Sequence, residues 1–234
     1  MTPIAHFRSP FSSKFGIPKQ SGLVEELEGE IVLESEYRDE NALRGLEAFD
    51  YLWIIWQFSA NKHKHTSPTV RPPLLGGNTR MGVFATRSPF RPNGLGLSSV
   101  RIKKIDFGQC IIHVRGADLM DRTPIFDIKP YVTYTDSHPQ ARSGFVDAHP
   151  IKRLEVEIPL SLASLLGTER TEVLRKTLEL DPRPRYHSDA NKTYGMFFHD
   201  INIKFKVCNG KVEVIAPSAI PLSSFQRGKK QTEI

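Results

Sequence analysis

The chain has 234 residues, of which 25% are charged and 39% are hydrophobic, the composition of a folded globular protein rather than of a disordered one. Its longest apolar run, residues 51–58, is too short to cross a bilayer, and its first ten residues contain no apolar segment of the kind that directs secretion. Cys110 and Cys208 form no CxxC motif and cannot build a disulfide framework, so we expect a reducing, cytoplasmic environment.

The charge balance is moderately basic. The sequence contains 32 Lys and Arg against 26 Asp and Glu, which gives a net charge of +6. A positive charge speeds the encounter with polyanions such as nucleic acids, but many basic enzymes bind none. The charge therefore favours a nucleic-acid partner without establishing one.

Short apolar runs separated by loops rich in Pro and Gly predict a β-rich N-terminal domain. Strands are predicted over residues 30–35, 51–58, 81–86, 98–105, 110–115 and 125–131. Their β-branched and aromatic content favours an antiparallel sheet or a closed barrel, and the missing strand–helix alternation argues against a doubly wound sheet. One helix is predicted over 39–48, capped by Asp39, because Leu43, Leu46 and Phe49 fall at helical spacing.

A change of composition then predicts a second, smaller unit. Residues 136–150 are polar and turn-rich, which is typical of a linker. Helical spacing follows over 160–166 and 169–180, with Gly167 as a break, and residues 194–217 resemble two strands joined at Asn209-Gly210. The predicted organisation is a β-rich domain over 1–140, a small α+β domain over 148–217 and a flexible tail over 218–234.

Four loops carry more Gly, Pro and charged residues than folding requires. We call them the PKQ loop (residues 15–22), the arginine loop (71–98), the aspartate loop (116–131) and the basic loop (181–186). In the arginine loop, prolines stiffen Arg87 and Arg91, which favours binding of a carboxylate or phosphate in fork geometry; the alternative is two solvated arginines on a stiff turn. A loop of this length with little regular structure is typically functional.

The aspartate loop contains Asp118, Asp121 and Asp127. All three could be turn-formers, because Asx side chains hydrogen-bond their own backbone. That interpretation explains Asp118 well and the three together poorly. The basic loop, followed by Lys192 and Tyr194, has the composition of a surface that contacts phosphates and bases. His63 and His65 have no partner at metal-ligand spacing, so no metal site is predicted.

Five segments in chain order resemble one known family. They are PKQxG (18–22), RGLEAFDYLWI (44–54), PTVRPPLLGGNTRMGVFATRSPFRPN (68–93), DLMDRTPIFDIKPY (118–131) and DPRPRY (181–186). They are similar to the TrmO, or TsaA-like, family of tRNA N6-adenosine methyltransferases, and the likeness runs from about residue 4 to 217.

The resemblance implies a β-barrel that binds S-adenosyl-L-methionine. It also implies methylation of N6 of N6-threonylcarbamoyladenosine at position 37 of threonine tRNA, and a homodimer whose active site lies close to the subunit interface. The family's cofactor contacts fall on Pro18, Lys19, Gln20, Phe58, Ser59, Arg87, Leu97, Asp121, Arg122, Thr123 and Pro124.

Two of these positions depart from the family pattern. Ser59 stands where histidine is usual, and Arg122 replaces the glycine of DGTP. A guanidinium at Arg122 could clash with the cationic sulfonium of the cofactor, or instead reach its carboxylate or the RNA.

The residues suggest a division of roles. Arg87 would bind the methionine carboxylate, Asp121 the ribose hydroxyls or the amino group, and Phe58 and Leu97 would cover the adenine. The acceptor N6 belongs to a ureido group, which makes it a weak nucleophile with an acidic N–H, so a general base is expected. Asp181 and Tyr194 are the candidates for that base. The predicted tRNA contacts are Arg91, Arg183, Arg185 and Lys192, with Arg183 or Lys192 on the threonyl carboxylate or a phosphate.

Two alternatives remain open at this point. A small-molecule methyltransferase on the same barrel would bind the cofactor but would have no use for the basic residues from Arg183 to Lys192. A non-catalytic RNA-binding barrel would explain the positive charge but not the aspartate loop, and it should not bind S-adenosylmethionine.

Overall fold

The computed structural model describes residues 1–61, 67–184, 189 and 191–216. His63, His65, Arg185 and the predicted tail over 218–234 lie outside the described residues.

Six antiparallel strands close into a barrel in the N-terminal part of the chain. The first eight strands are β1 (Ala5–Arg8), β2 (Glu28–Leu33), β3 (Tyr51–Gln57), β4 (Thr69–Val70), β5 (Met81–Gly82), β6 (Leu95–Asp106), β7 (Ile111–Arg115) and β8 (Pro124–Pro130). The barrel order is β1-β2-β7-β6-β3-β8, and β1 closes it by pairing with both β2 and β8. The prediction of a β-rich fold with an antiparallel barrel is confirmed.

Buried and more exposed side chains alternate along β3, and the buried ones fill the barrel interior. Leu52, Ile54 and Trp56 are buried in its interior, whereas Tyr51 is exposed. Trp56 lies opposite Gly96 of β6, where an added Cβ would come within 2.3 Å of the indole. The absence of a side chain at Gly96 therefore lets the tryptophan pack against the backbone of its neighbour.

Two N-terminal predictions are wrong. The strand predicted over 81–86 is the two-residue β5, which pairs with β4 outside the barrel and continues into a 3-10 turn, Val83–Ala85. The helix predicted over 39–48 is two separate 3-10 turns, because Gly45 between them adopts a left-handed φ of 88° that no helix accommodates. Asp39 does cap the first turn, with its carboxylate accepting a hydrogen bond from the Asn41 N–H at 2.9 Å.

The C-terminal part is a sheet covered by a helix. The single turn α1 (Thr133–Asp136) follows the barrel and accepts a hydrogen bond from Trp53 of β3. The elements of the C-terminal part are β9 (Glu155–Glu157), α2 (Leu160–Glu179), β10 (Tyr194–Phe198), β11 (Ile201–Cys208) and β12 (Lys211–Ile215). The sheet order is β10-β11-β12-β9, with β9 parallel to β12. Gly167 interrupts α2 with φ 76° and ψ 170°, which confirms the predicted break.

The region 194–217 contains three strands rather than the two predicted. The Asn209-Gly210 hairpin is confirmed, since it joins β11 and β12. A second tight turn at His199-Asp200 joins β10 and β11, with both residues left-handed at φ 47° and 64°. Neither residue is glycine, so the usual sequence signal of such a turn is missing.

One stretch of the N-terminal chain contributes to the core of the C-terminal part. The barrel core includes Phe7 and Ile31, while the segment between β1 and β2, residues 9–27, gives Phe11, Val24 and Leu27 to the core beneath the C-terminal sheet. We call residues 9–27 the connecting segment. The domain ranges 1–140 and 148–217 remain a prediction, and the connecting segment, which lies inside the first range, gives its buried side chains to the C-terminal core.

The turn at His199 gives a prediction on pH dependence. Burial, together with the charge of Arg170, lowers the pKa of His199 from 6.5 to about 4. The unfolded chain therefore binds this proton near pH 6.5 and the folded chain only near pH 4, so stability is full above pH 6.5 and falls as the pH drops through this window. We expect His199→Asn, which tolerates left-handed backbone, to flatten the decline in melting temperature between these two pH values. If the melting temperature of the variant declines as steeply as that of the wild type, groups other than His199 cause the decline.

Candidate functional site

Direct contacts bring the four loops together around the PKQ loop. Arg87 of the arginine loop donates from Nη1 to Oε1 of Gln20 at 2.5 Å. Lys19 donates from Nζ to the backbone carbonyl of Asp181 at 3.5 Å, which reaches the basic loop. The backbone N–H of Ser21 hydrogen-bonds the carboxylate of Asp118 in the aspartate loop. The structure therefore places Lys19, Gln20 and Arg87 at one locus beside Asp181.

Asp118 is the residue whose importance the sequence analysis missed. Its Oδ1 accepts a hydrogen bond from the Ser98 hydroxyl at 2.5 Å, and Ser98 accepts one from the Trp56 indole N–H at 3.0 Å. Burial raises the pKa of the Asp118 carboxyl, although Ser98 and the nearby Arg87 act in the opposite direction. The sequence favours turn formation as the role of Asp118, and its only contrary signal is the position of Asp118 between the apolar Ala117 and Leu119.

The second half of the aspartate loop is bound to the connecting segment and β1. The Asp121 carboxylate accepts from the Ser9 N–H at 3.1 Å, and the Asp121 N–H donates to the Phe11 carbonyl at 2.9 Å. Thr123 is buried and Pro124 begins β8, so both belong to the barrel wall. Asp127 is on the surface beside Lys129, at 3.0 Å. The three aspartates thus have three different environments.

Arg122 points away from the protein. Its backbone is left-handed at φ 61°, its side chain is 91% exposed, and its Nε lies 3.7 Å from the Asp121 carboxylate. Its guanidinium therefore lies at the rim of the candidate site, where solvent or a large ligand can reach it.

The left-handed backbone of Arg122 predicts a change of stability. A residue with a Cβ loses about 1–2 kcal/mol in this conformation, whereas glycine there costs about 0.5–1 kcal/mol in lost chain freedom. We therefore expect Arg122→Gly to leave the free energy of unfolding unchanged or to raise it by up to about 1 kcal/mol, measured by urea denaturation. A clear decrease would show that the side chain makes a stabilising contact that outweighs its backbone strain.

Phe58 and Leu97 do not face each other. Phe58 follows β3 and packs its ring edge-on against Trp56, with centroids 4.4 Å apart. Leu97 is 58% exposed and precedes the buried Ser98 in β6, so it points to the outer face of the barrel. The two side chains therefore do not form one wall over an adenine within a single chain. Ser59 is exposed next to Phe58.

The two candidate bases are joined through Arg183. Its Nε and Nη2 donate to the two carboxylate oxygens of Asp181 at 2.8 and 3.0 Å. This bidentate pair raises the pKa of the Arg183 guanidinium, and the Tyr194 hydroxyl contributes to the same shift. Tyr194 is buried and stacks on Phe15 and Phe205, with centroids 6.3 and 5.6 Å away.

The predicted tRNA contacts differ in how free they are to meet RNA. Arg183 is only 15% exposed and is committed to Asp181. Arg91 donates to the Thr86 carbonyl at 3.1 Å, which braces the turn that carries Arg87. Lys192 lies over the Tyr194 ring, with Nζ 5.5 Å from its centroid. Arg185 lies outside the described residues.

Within the described ranges, no helix is long and apolar enough to span a membrane. In the same part of the chain, His, Cys, Asp and Glu side chains form no group of three that could hold a metal ion.

Both parts of the chain match known families. Residues 6–137 match the tRNA-methyltransferase O N-terminal domain, and residues 152–219 match the TrmO C-terminal domain. The tRNA (adenine(37)-N6)-methyltransferase of Escherichia coli K12 is 40% identical over 223 residues, which cover 91% of this chain and 95% of the relative. A putative S-adenosylmethionine-dependent methyltransferase, RcsF, of Pseudomonas aeruginosa is 36% identical over 87% of this chain and 90% of its own.

Solved structures agree with these matches. A crystal structure of TrmO superposes with a TM-score of 0.74 at 29% identity, covering 91% of this chain and 95% of that one. A TrmO structure from Pseudomonas aeruginosa gives the same TM-score at 30% identity. Because sequence and fold agree over nearly the whole length of both partners, the chain belongs to the tRNA-methyltransferase O (TrmO) family.

Proposed function

We propose that this protein transfers a methyl group from S-adenosyl-L-methionine to N6 of N6-threonylcarbamoyladenosine at position 37 of threonine tRNA. Its relatives are named tRNA (adenine(37)-N6)-methyltransferase and S-adenosylmethionine-dependent methyltransferase. The contact of Lys19 with the Asp181 carbonyl carries the proposal, because it joins the candidate cofactor residues to the candidate base.

The residues around the PKQ loop fit the cofactor chemically. Arg87 is exposed, its guanidinium is held by Gln20, and such a fork matches the methionine carboxylate. Asp121 keeps a carboxylate available for hydroxyl or ammonium donors, while Phe58, which packs on the buried Trp56, provides aromatic surface. The cofactor would supply an electrophilic methyl carbon on a sulfonium. Pro18, Lys19, Ser59, Leu97, Arg122, Thr123 and Pro124 complete the proposed cofactor-binding set.

Methyl transfer forms a bond from N6 to the methyl carbon, breaks the carbon–sulfur bond, and releases the N6 proton to a base. Each oxygen of the Asp181 carboxylate has two lone pairs, so Asp181 can take that proton while Arg183 is bound to both oxygens. The threonyl carboxylate of the substrate is a competing partner for the same guanidinium. We therefore assign Arg183 to the threonyl carboxylate, Asp181 to the proton, and Tyr194 to holding Arg183 in place.

The tRNA would be held by Arg91, Arg185 and Lys192 around this centre, in keeping with the positive net charge of the chain.

A homodimer is supported by large apolar side chains left exposed along the arginine loop, with Phe84 79%, Phe90 50% and Leu97 58% accessible. A cytoplasmic location is in keeping with the free thiols of Cys110 and Cys208.

One experiment tests the reaction and the substrate together. The protein is incubated with trideuteromethyl cofactor and threonine tRNA that either carries or lacks the threonylcarbamoyl group, and the nucleosides are analysed by mass spectrometry. We expect the label on threonylcarbamoyladenosine alone. Label on unmodified adenosine would refute the substrate. Label on neither, with cofactor binding intact, would favour a small-molecule methyltransferase, and loss of cofactor binding as well would favour an RNA-binding barrel.

A further inference from the structure

A largely buried carboxylate stands between three of the loops. Asp118 receives the Ser98 hydroxyl at 2.5 Å from the barrel side and the Ser21 N–H from the PKQ loop, and it lies within electrostatic range of the Arg87 guanidinium. Ser98 accepts the Trp56 indole N–H at 3.0 Å, so its own proton is directed at Asp118. The hydroxyl orientation is thereby fixed from the barrel core outward.

This arrangement is not explained by stability. Burial raises the pKa of Asp118, which means that the folded protein binds its proton more readily than the unfolded chain does. The stability contribution is then present below the unfolded pKa and is lost as the pH rises through the folded one, so ionisation of this carboxyl opposes folding. Buried charge that costs stability is characteristic of functional sites.

The position of Asp118 indicates what it does there. Arg87 is exposed and has Gln20 on one side, at 2.5 Å, and the Asp118 charge on the other. Ser21 is the residue after Gln20, so the carboxylate holds the PKQ loop and attracts the arginine at once. We propose that Asp118 is a positioning residue of the cofactor site, which locks the PKQ loop through Ser21 and aims the Arg87 guanidinium. This inference rests on the proposed cofactor site. It adds that Asp118 is itself held in place by the hydrogen bonds that join it to Ser98 and Ser98 to Trp56.

The test uses Asp118→Asn in the full chain, with the unreactive product S-adenosylhomocysteine titrated by calorimetry. Asparagine keeps the size and an acceptor oxygen but removes the charge that attracts Arg87. We expect Kd to rise about tenfold, which is within the range of couplings between residues of one charged network, with the melting temperature of the ligand-free protein unchanged or higher. Asp127→Asn is the matched control, because Asp127 is an exposed carboxylate of the same loop, and its Kd should match the wild type.

A double variant decides whether Asp118 acts through Arg87. If it does, Asp118→Asn added to Arg87→Ala should weaken binding little further; losses that multiply would overturn the proposal, as would an unchanged Kd for Asp118→Asn alone. If Asp118→Asn does not fold, Ser98→Ala is the second variant, with an expected loss of a few-fold that again disappears in the Arg87→Ala background. An unchanged Kd for Arg87→Ala alone would instead reject the proposed cofactor site itself, and the two failures are thus distinguishable.

Discussion

Replacing Asp181 with asparagine is expected to slow methyl transfer by about 10²–10⁴-fold, the usual contribution of a positioned general base. Asparagine is among the residues that best tolerate the left-handed backbone of Asp181, φ 50°, so the loop should keep its shape. The amide cannot accept the N6 proton. The measurement is a single-turnover rate at saturating cofactor and tRNA, beside a tRNA binding isotherm, which should change far less than the rate.

Glu179→Gln provides the matched control for Asp181. Glu179 is also a carboxylate paired with an arginine, Arg153 at 2.9 Å, and it lies only two residues earlier at the end of α2. Its loss should leave the rate at the wild-type value. Should Asp181→Asn reduce the rate and tRNA affinity by equal factors, Asp181 would be a binding residue and not the base.

Replacing Arg87 with alanine is expected to weaken cofactor binding by about 10–100-fold. Hydrogen bonds to charged groups contribute about 1.5–3 kcal/mol, and 1.4 kcal/mol corresponds to a factor of ten in Kd. The guanidinium is already ordered by Gln20, so little further ordering is needed when a carboxylate binds. Calorimetric titration with S-adenosylhomocysteine measures the effect directly.

The control for Arg87 is Arg80→Ala in the same loop. Arg80 is exposed and donates to the Thr69 hydroxyl at 3.1 Å, away from the PKQ loop contacts. It should leave the cofactor Kd unchanged. Equal losses in both variants would point to a general electrostatic effect of the loop, and no loss at Arg87 would reject its assignment to the methionine carboxylate.

Much of the barrel could be predicted from local pattern because each strand shows it within a few residues. In β3 the buried residues alternate along the strand, whereas β1 and β9 are four and three residues long and give too little alternation to detect. The prediction of a helix over 39–48 was wrong for a local reason too. The apolar residues around Gly45 have helical spacing, but the left-handed backbone of Gly45 cannot be part of a helix. Short elements therefore depend on tertiary pairing that the sequence does not display.

The site was predictable as a set of loops and not as a set of contacts. Stiff arginines and clustered aspartates are visible in composition, but the pairing of Asp181 with Arg183 becomes visible only in three dimensions. Asp118 shows the same limit, because its role depends on Ser98 and Trp56, which are 20 and 62 residues away. Long-range contacts decide which charged residues are partners, and these need the fold.

The connecting segment has a mechanical consequence. It leaves the barrel at β1, gives Phe11, Val24 and Leu27 to the second core, and returns to the barrel at β2, with the PKQ loop between the inserted side chains. Lys19 and Gln20 are therefore flanked in the chain by side chains that are fixed in the C-terminal core. If the PKQ loop binds the cofactor as proposed, RNA that contacts the C-terminal unit would act on the cofactor site through this continuous stretch of chain.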